Sequence, residues 1–163
     1  MKKIISLLLS LFLLVNYSYS QNRKLPNITL KNLDGENINI QDIDNNGNPI
    51  VICFWATWCK PCVKELNNIA DVYEEWQEET GVKIIAVSID NSRSSYKVKP
   101  RVNTNGWEYE ILLDVNSELK RAMGVGNPPY TFLLNSKKEI IYVHNGYTEG
   151  DEDELYEKIK KIK

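Results

Sequence analysis

Cys59 and Cys62 stand three positions apart in Trp58-Cys59-Lys60-Pro61-Cys62. An apolar run, Ile50-Val51-Ile52-Cys53-Phe54-Trp55, leads into them, and a helical pattern leads away. Thiols at that spacing, at a helix start, can close a disulfide within one turn. The outer thiol lies near the positive end of the helix dipole, which favours its thiolate, the nucleophile of disulfide exchange. A Cys-x-x-Cys pair at a strand–helix junction therefore reads as a redox centre needing no metal and no cofactor. Two other readings start from the same residues. Zinc wants four ligands, and only Cys53 and His144 remain to complete a set, with Cys53 inside the apolar run. A purely structural bridge is the third reading.

A strand must deliver Cys59 and a helix must carry Cys62. Residues 50–55 read as a central strand buried on both faces. Residues 61–80 read as one helix, with Cys62, Leu66, Ile69, Tyr73 and Trp76 forming an apolar stripe. Pro61 suits its first turn and Gly81 its stop. Upstream, residues 28–30 and 38–40 alternate as short strands around the hairpin signal Asp34-Gly35. Downstream come a strand at 82–89, a turn at 90–92 and a weaker helix at 94–104 interrupted by Pro100. A strand at 109–113 and a short helix at 116–123 follow. Strands at 130–134 and 139–143 and a helix at 151–162 close the chain. This order predicts an α/β fold, a mixed central sheet flanked by helices on both faces. The reactive pair then sits beyond the carboxyl ends of the central strands.

The 163 residues, 42% hydrophobic and 26% charged, suit one globular domain. Lys2-Lys3, an apolar run over 4–15 and small residues before Gln21 read as a signal peptide over 1–20, leaving a domain over 25–163. That makes the protein extracytoplasmic, periplasmic after cleavage; the alternative is a membrane anchor left uncut. Residues 1–20 contain two lysines and no acid, so their loss takes the net charge from −2 to −4. No basic patch argues for nucleic acid. Export favours oxidised thiols, which leaves Cys53 unpaired and best buried. Nothing in the sequence points to an oligomer, and a monomer is the default.

Phe54-Trp55-Ala56-Thr57-Trp58-Cys59-Lys60-Pro61-Cys62, Glu65, the segment 82–90 and Pro129-Tyr130-Thr131-Phe132-Leu133-Leu134 resemble the TlpA/ResA branch of the thioredoxin superfamily. The resemblance covers residues 25–163. It implies a thioredoxin fold with an extra N-terminal β-hairpin and a strand–helix insertion before a cis-proline loop. It also implies an exported or membrane-tethered thiol–disulfide oxidoreductase. In that frame Cys59 is the attacking thiolate and Cys62 the resolving thiol. Glu65 is the carboxylate near the thiols, and Pro129 is the cis-proline facing them. Trp58, Lys60, Pro61, Pro128 and Pro129 form the partner-facing surface, with Trp55 and Trp58 bracketing the approach to Cys59.

Two positions depart from the pattern. Many thioredoxins carry a buried carboxylate six residues before the first active cysteine; here Cys53 stands there. Proton transfer beneath the disulfide then falls to Glu65, to water or to no group at all. Pro128 occupies the place that usually offers its backbone to the client, and it has no N–H to donate. Fewer main-chain bonds should then hold the partner.

The implied function is reduction of disulfides in exported proteins, including apocytochromes c, with electrons from a membrane thiol carrier. A disulfide-donating oxidase, a thiol peroxidase and a non-enzymatic thioredoxin-fold binding module are the alternatives. A peroxidase wants a Thr and an Arg around its cysteine; Thr57 is near Cys59, but no Arg is close in sequence. His144, the only histidine, reads as a surface or sheet residue.

Overall fold

The computed structural model describes residues 24–162; the proposed leader over 1–20 lies outside the described residues. Seven strands form one sheet in the order β2-β1-β5-β4-β3-β6-β7. They are β1 (Thr29–Asn32), β2 (Asn37–Asn39), β3 (Ile50–Trp55), β4 (Lys83–Ser88), β5 (Glu110–Leu113), β6 (Tyr130–Leu134) and β7 (Ile140–Asn145). Every residue of β3 is buried, as its uninterrupted apolar run requires. β3 pairs in parallel with β4 and antiparallel with β6, and β4 pairs in parallel with β5.

The hairpin β1–β2 turns at Asp34-Gly35, where the Asn32 side chain accepts from the amides of Asp34 and Glu36. It caps the outer edge of β5, so it extends the sheet as expected. β5 and helix α4 (Glu118–Ala122) form the strand–helix pair inserted ahead of the proline loop. The carboxylate of buried Asp114 fastens α4 by accepting from the amides of Glu118, Leu119 and Lys120.

The helix predicted over 61–80 is two helices, α1 (Lys60–Ala70) and α2 (Tyr73–Thr80). The chain tightens between them: the Val72 amide bonds back to Ile69 O, and Val72 leaves helical geometry at φ −122°. The buried stripe nevertheless runs through Cys62, Leu66, Ile69, Tyr73 and Trp76, so burial set the period that the sequence displayed. Gly81 ends α2 at φ 67°, a left-handed conformation that favours glycine.

Pro100 does not interrupt its helix. A 3-10 turn at Ser95–Lys97 leads into α3 (Val98–Asn105), and Pro100 falls in the first turn of α3, where a missing N–H costs nothing. α5 (Asp151–Lys160) closes the chain with acids first and lysines last, matching the helix dipole.

Candidate active site

β3 ends at Trp55, and the chain turns through Ala56, Thr57 and Trp58 to bring the Cys59 amide 3.0 Å from Ala56 O. Asp90, buried just past the end of β4, holds that turn. Its carboxylate accepts from the Thr57 amide and the Thr57 hydroxyl, each at 2.7 Å, and from Ser88 Oγ at 2.9 Å. Sequence reading saw only a turn there. The available signal was an acid closing the strand that neighbours β3 in parallel register.

Cys59 is the N-cap of α1. Its backbone is extended, and its Sγ accepts from the Cys62 amide at 3.3 Å. Cys59 and Cys62 are joined by a disulfide across a Cα–Cα distance of 5.3 Å. Cys59 keeps only 5% of its surface and Cys62 none, so the outer sulfur is more enclosed than its place at a helix start suggests. The cap geometry explains this, since Sγ turns inward to meet both the amide and the sulfur of Cys62.

Lys60 and Pro61 are exposed on the first turn of α1. Trp58 stands 63% exposed, but Trp55 is fully buried. Trp55 packs edge-on against Trp107 with ring centroids 4.9 Å apart. Trp58 alone therefore flanks the site, and Trp55 belongs to the core beneath it. The peptide bond between Pro128 and Pro129 is cis, as the resemblance implied. Phe54 pairs with Tyr130, which sets Pro129 at the same end of the sheet as the cysteine turn.

Beneath the pair lies a buried polar cluster. Glu65 is one turn beyond Cys62 on α1 and only 5% exposed. Its Oε1 lies 2.8 Å from Thr131 Oγ1, which is itself 3.7 Å from Cys53 Sγ. Cys53 and Thr131 face each other in the β3–β6 register. Thr131 has one hydroxyl proton. When Glu65 is ionised, Thr131 donates to it and the Cys53 thiol donates to Thr131. Lys64, not Glu65, makes the surface ion pair, reaching Glu149 at 2.6 Å.

Burial pushes the Glu65 carboxyl up to about 7, against the Thr131 hydrogen bond and helped by the charges of Asp151 and Glu152. Burial, and then the charge of Glu65, raise the Cys53 thiol well above its ordinary value. Cys53 is free and buried, a core thiol with no sulfur partner.

A cavity of about 10 Å³, room for about one water, opens behind Glu65 and is lined by Thr131, Tyr142, His144 and Asp151 among others. His144 Nε2 is 3.0 Å from Asp151 Oδ2, and its Nδ1 is 3.3 Å from the Tyr142 hydroxyl. His144 is thus a sheet residue, and it also lines the back of the Glu65 site, which no sequence spacing indicated. Among the described residues no three His, Cys, Asp or Glu side chains come together as metal ligands.

Thr57 and Arg101 share one groove despite their separation in sequence. The Thr57 hydroxyl proton is nonetheless committed to Asp90, so it is not free to polarise a peroxide.

The model of the AhpC/TSA family matches residues 22–143. The thiol–disulfide oxidoreductase ResA of Bacillus thuringiensis is 31% identical over 140 residues, 86% of this chain and 77% of its own. A thioredoxin-like protein from Porphyromonas gingivalis superposes with a TM-score of 0.76 at 48% identity, over 85% of this chain and 90% of its own. StoA of Bacillus subtilis superposes with a TM-score of 0.64 at 28% identity, over 81% and 99%. The mixed sheet, its hairpin and its inserted β5–α4 pair are those of a thioredoxin-like fold. The chain belongs to the AhpC/TSA family and, within it, to the thiol–disulfide oxidoreductases that resemble ResA.

Proposed function

We propose that the chain is exported, with residues 1–20 as its leader, and that it reduces disulfides in extracytoplasmic proteins. Cysteine pairs of apocytochromes c are among the clients, and a membrane thiol carrier returns the electrons. The observation that carries this reading is a disulfide capping α1, one turn from a buried carboxyl that titrates near neutrality. No helix among the described residues is long and apolar enough to cross a membrane.

In the reduced protein, the Cys59 thiolate attacks one sulfur of the client disulfide. A mixed disulfide forms and the other client sulfur leaves as a thiolate. Cys62 loses its proton to Glu65 and attacks Cys59 Sγ, breaking the mixed disulfide. Two electrons pass to the client, which leaves as a dithiol, and the protein is left as the Cys59–Cys62 disulfide. The helix N-terminus favours the thiolate at each stage. Trp58, Lys60, Pro61, Pro128 and Pro129 form the surface that meets the client.

Replacing Cys62 with Ala removes the resolving thiol, so mixed disulfides should accumulate on Cys59 and identify the clients. If nothing is trapped, the protein is a binding module. The reduction potential sets the direction: a value near thioredoxin's, about −270 mV, supports a reductase, and one near about −120 mV an oxidase. Rapid peroxide consumption by the reduced protein would instead establish a thiol peroxidase.

A further inference from the structure

Beside the cysteine turn lies a groove that the cycle above does not use. It encloses about 550 Å³ between Thr57 and Trp58 on one side and Tyr96, Lys97, Pro100 and Arg101 on the other. Tyr96 and Lys97 come from the 3-10 turn, and Pro100 and Arg101 from α3. Two aromatic rings stand in solvent along it, Trp58 at 63% exposure and Tyr96 at 71%. The other exposed large apolar chains, Ile141 and Val143, lie on the edge strand β7. Aromatic and arginine side chains are the groups that most often anchor protein partners.

The charge of the groove is opposite to that of the molecule. Residues 91–107 carry Arg93, Lys97, Lys99 and Arg101 and no acid, whereas all twenty-two acids share the rest of the chain with sixteen cations. Lys99 is turned away to Asp34 at 3.3 Å. Lys97 stands over the Tyr96 ring, 5.7 Å from its centroid. No carboxylate lines the groove, and Asp90 beneath it is spent on Thr57 and Ser88. On the proline loop, Pro128 offers a client a carbonyl but no N–H, so docking needs a second hold.

We propose that this groove is a docking site for an acidic, extended segment of the client polypeptide next to its disulfide. Carboxylates of the segment meet Lys97 and Arg101, and an apolar side chain sits between Trp58 and Tyr96. The proposal rests on the reductase reading. Docking brings the client disulfide to Cys59, and the exchange is the balanced one already given: protein dithiol and client disulfide become protein disulfide and client dithiol.

The test uses two synthetic peptides of equal length, each with one internal disulfide, flanked by four Asp or by four Lys. A third substrate is the uncharged bis(2-hydroxyethyl) disulfide. The rate of oxidation of the reduced protein is measured with each at low and high salt. The net negative charge, −2 for the full chain and −4 without residues 1–20, would by itself favour the basic peptide. The groove predicts the reverse, an acidic peptide about tenfold faster at low salt and within about twofold at 0.5 M salt, because exposed charge pairs are screened. In K97E/R101E the ranking should invert, and K97Q/R101Q, which keeps much of the apolar stems, should remove the acidic peptide's advantage. Equal rates, a faster basic peptide, or a ranking indifferent to salt or to both variants would overturn the docking site while leaving the reductase intact. Failure of the wild-type protein to reduce even the uncharged disulfide would overturn the reductase reading, and the docking site with it.

Discussion

Glu65→Gln should make the protein more stable in alkali and leave it unchanged in acid. Burial holds the Glu65 proton from an ordinary 4.5 up to about 7. A folded state that binds a proton more tightly than the unfolded chain is favoured where that proton is bound. The stability it lends is complete below about pH 4.5 and is lost as the pH rises through about 7. The size of the loss is about 3 kcal/mol, at about 1.4 kcal/mol per pH unit, with almost no discount for solvent since Glu65 is 5% exposed. Gln carries no charge to bury, and its amide oxygen can accept from Thr131 Oγ1, as the carboxylate does. Wild type and variant should therefore unfold together at pH 4.5 and separate progressively to pH 8. With a urea slope of roughly 2 kcal/mol per M, the variant's midpoint should lie about 1.5 M higher at pH 8, both proteins being oxidised. Parallel pH profiles would mean that Glu65 is charged at no cost in the folded protein, and the argument from its burial would fail. The same substitution should remove the inflection near pH 7 from the rate of mixed-disulfide resolution, since Cys62 then has no carboxylate to take its proton.

Asp90→Ala strips three acceptor bonds from the turn that carries Cys59. It should cost about 3 kcal/mol in urea unfolding, because two half-buried donors of Thr57 and the buried Ser88 hydroxyl lose their acceptor, and it should slow client reduction; wild-type stability would contradict the role given to Asp90. Pro128→Thr restores a backbone N–H beside the client, so client affinity should rise severalfold; unchanged affinity and turnover would show that the missing donor does not matter. Gly81→Ala places a Cβ 2.8 Å from Asn48 Cγ at φ +67°. It should destabilise by about 1–2 kcal/mol, and a neutral result in thermal unfolding would mean that the α2–β4 turn relaxes.

The sheet and the reactive pair were legible because their signals are local. A six-residue apolar run, a Cys-x-x-Cys and an Asp-Gly turn each announce themselves within a few residues. The break at Val72 was hidden because the buried stripe continues through it. Pro100 misled for a related reason: a proline reads as an interruption until the helix start is known. Trp55 and Trp58 look alike in sequence, yet β3 is covered on both faces and keeps one in the core, whereas the turn puts the other in solvent. The partners of Glu65 were out of reach. Thr131, His144 and Asp151 come from β6, β7 and α5, and only the folded sheet brings them behind α1.

Cys53 is where these two kinds of information meet. Its place in the sequence is one where many thioredoxins carry a carboxylate, so a thiol there looks like a lost proton acceptor. In the fold it shares Thr131 with Glu65, and the charge of Glu65 adds to the cost of ionising the Cys53 thiol, pushing it further up. The thiol therefore stays neutral across the range in which Glu65 titrates, and the buried acid has no charged neighbour on β3 to compete with. A second carboxylate at that position would sit across one hydroxyl from the first, and two like charges so close would not both ionise near neutrality. Cys53→Asp should accordingly split the single inflection in the resolving rate into two and push one of them well above pH 7. A single inflection left near pH 7 in that variant would show that Glu65 and residue 53 do not sense one another.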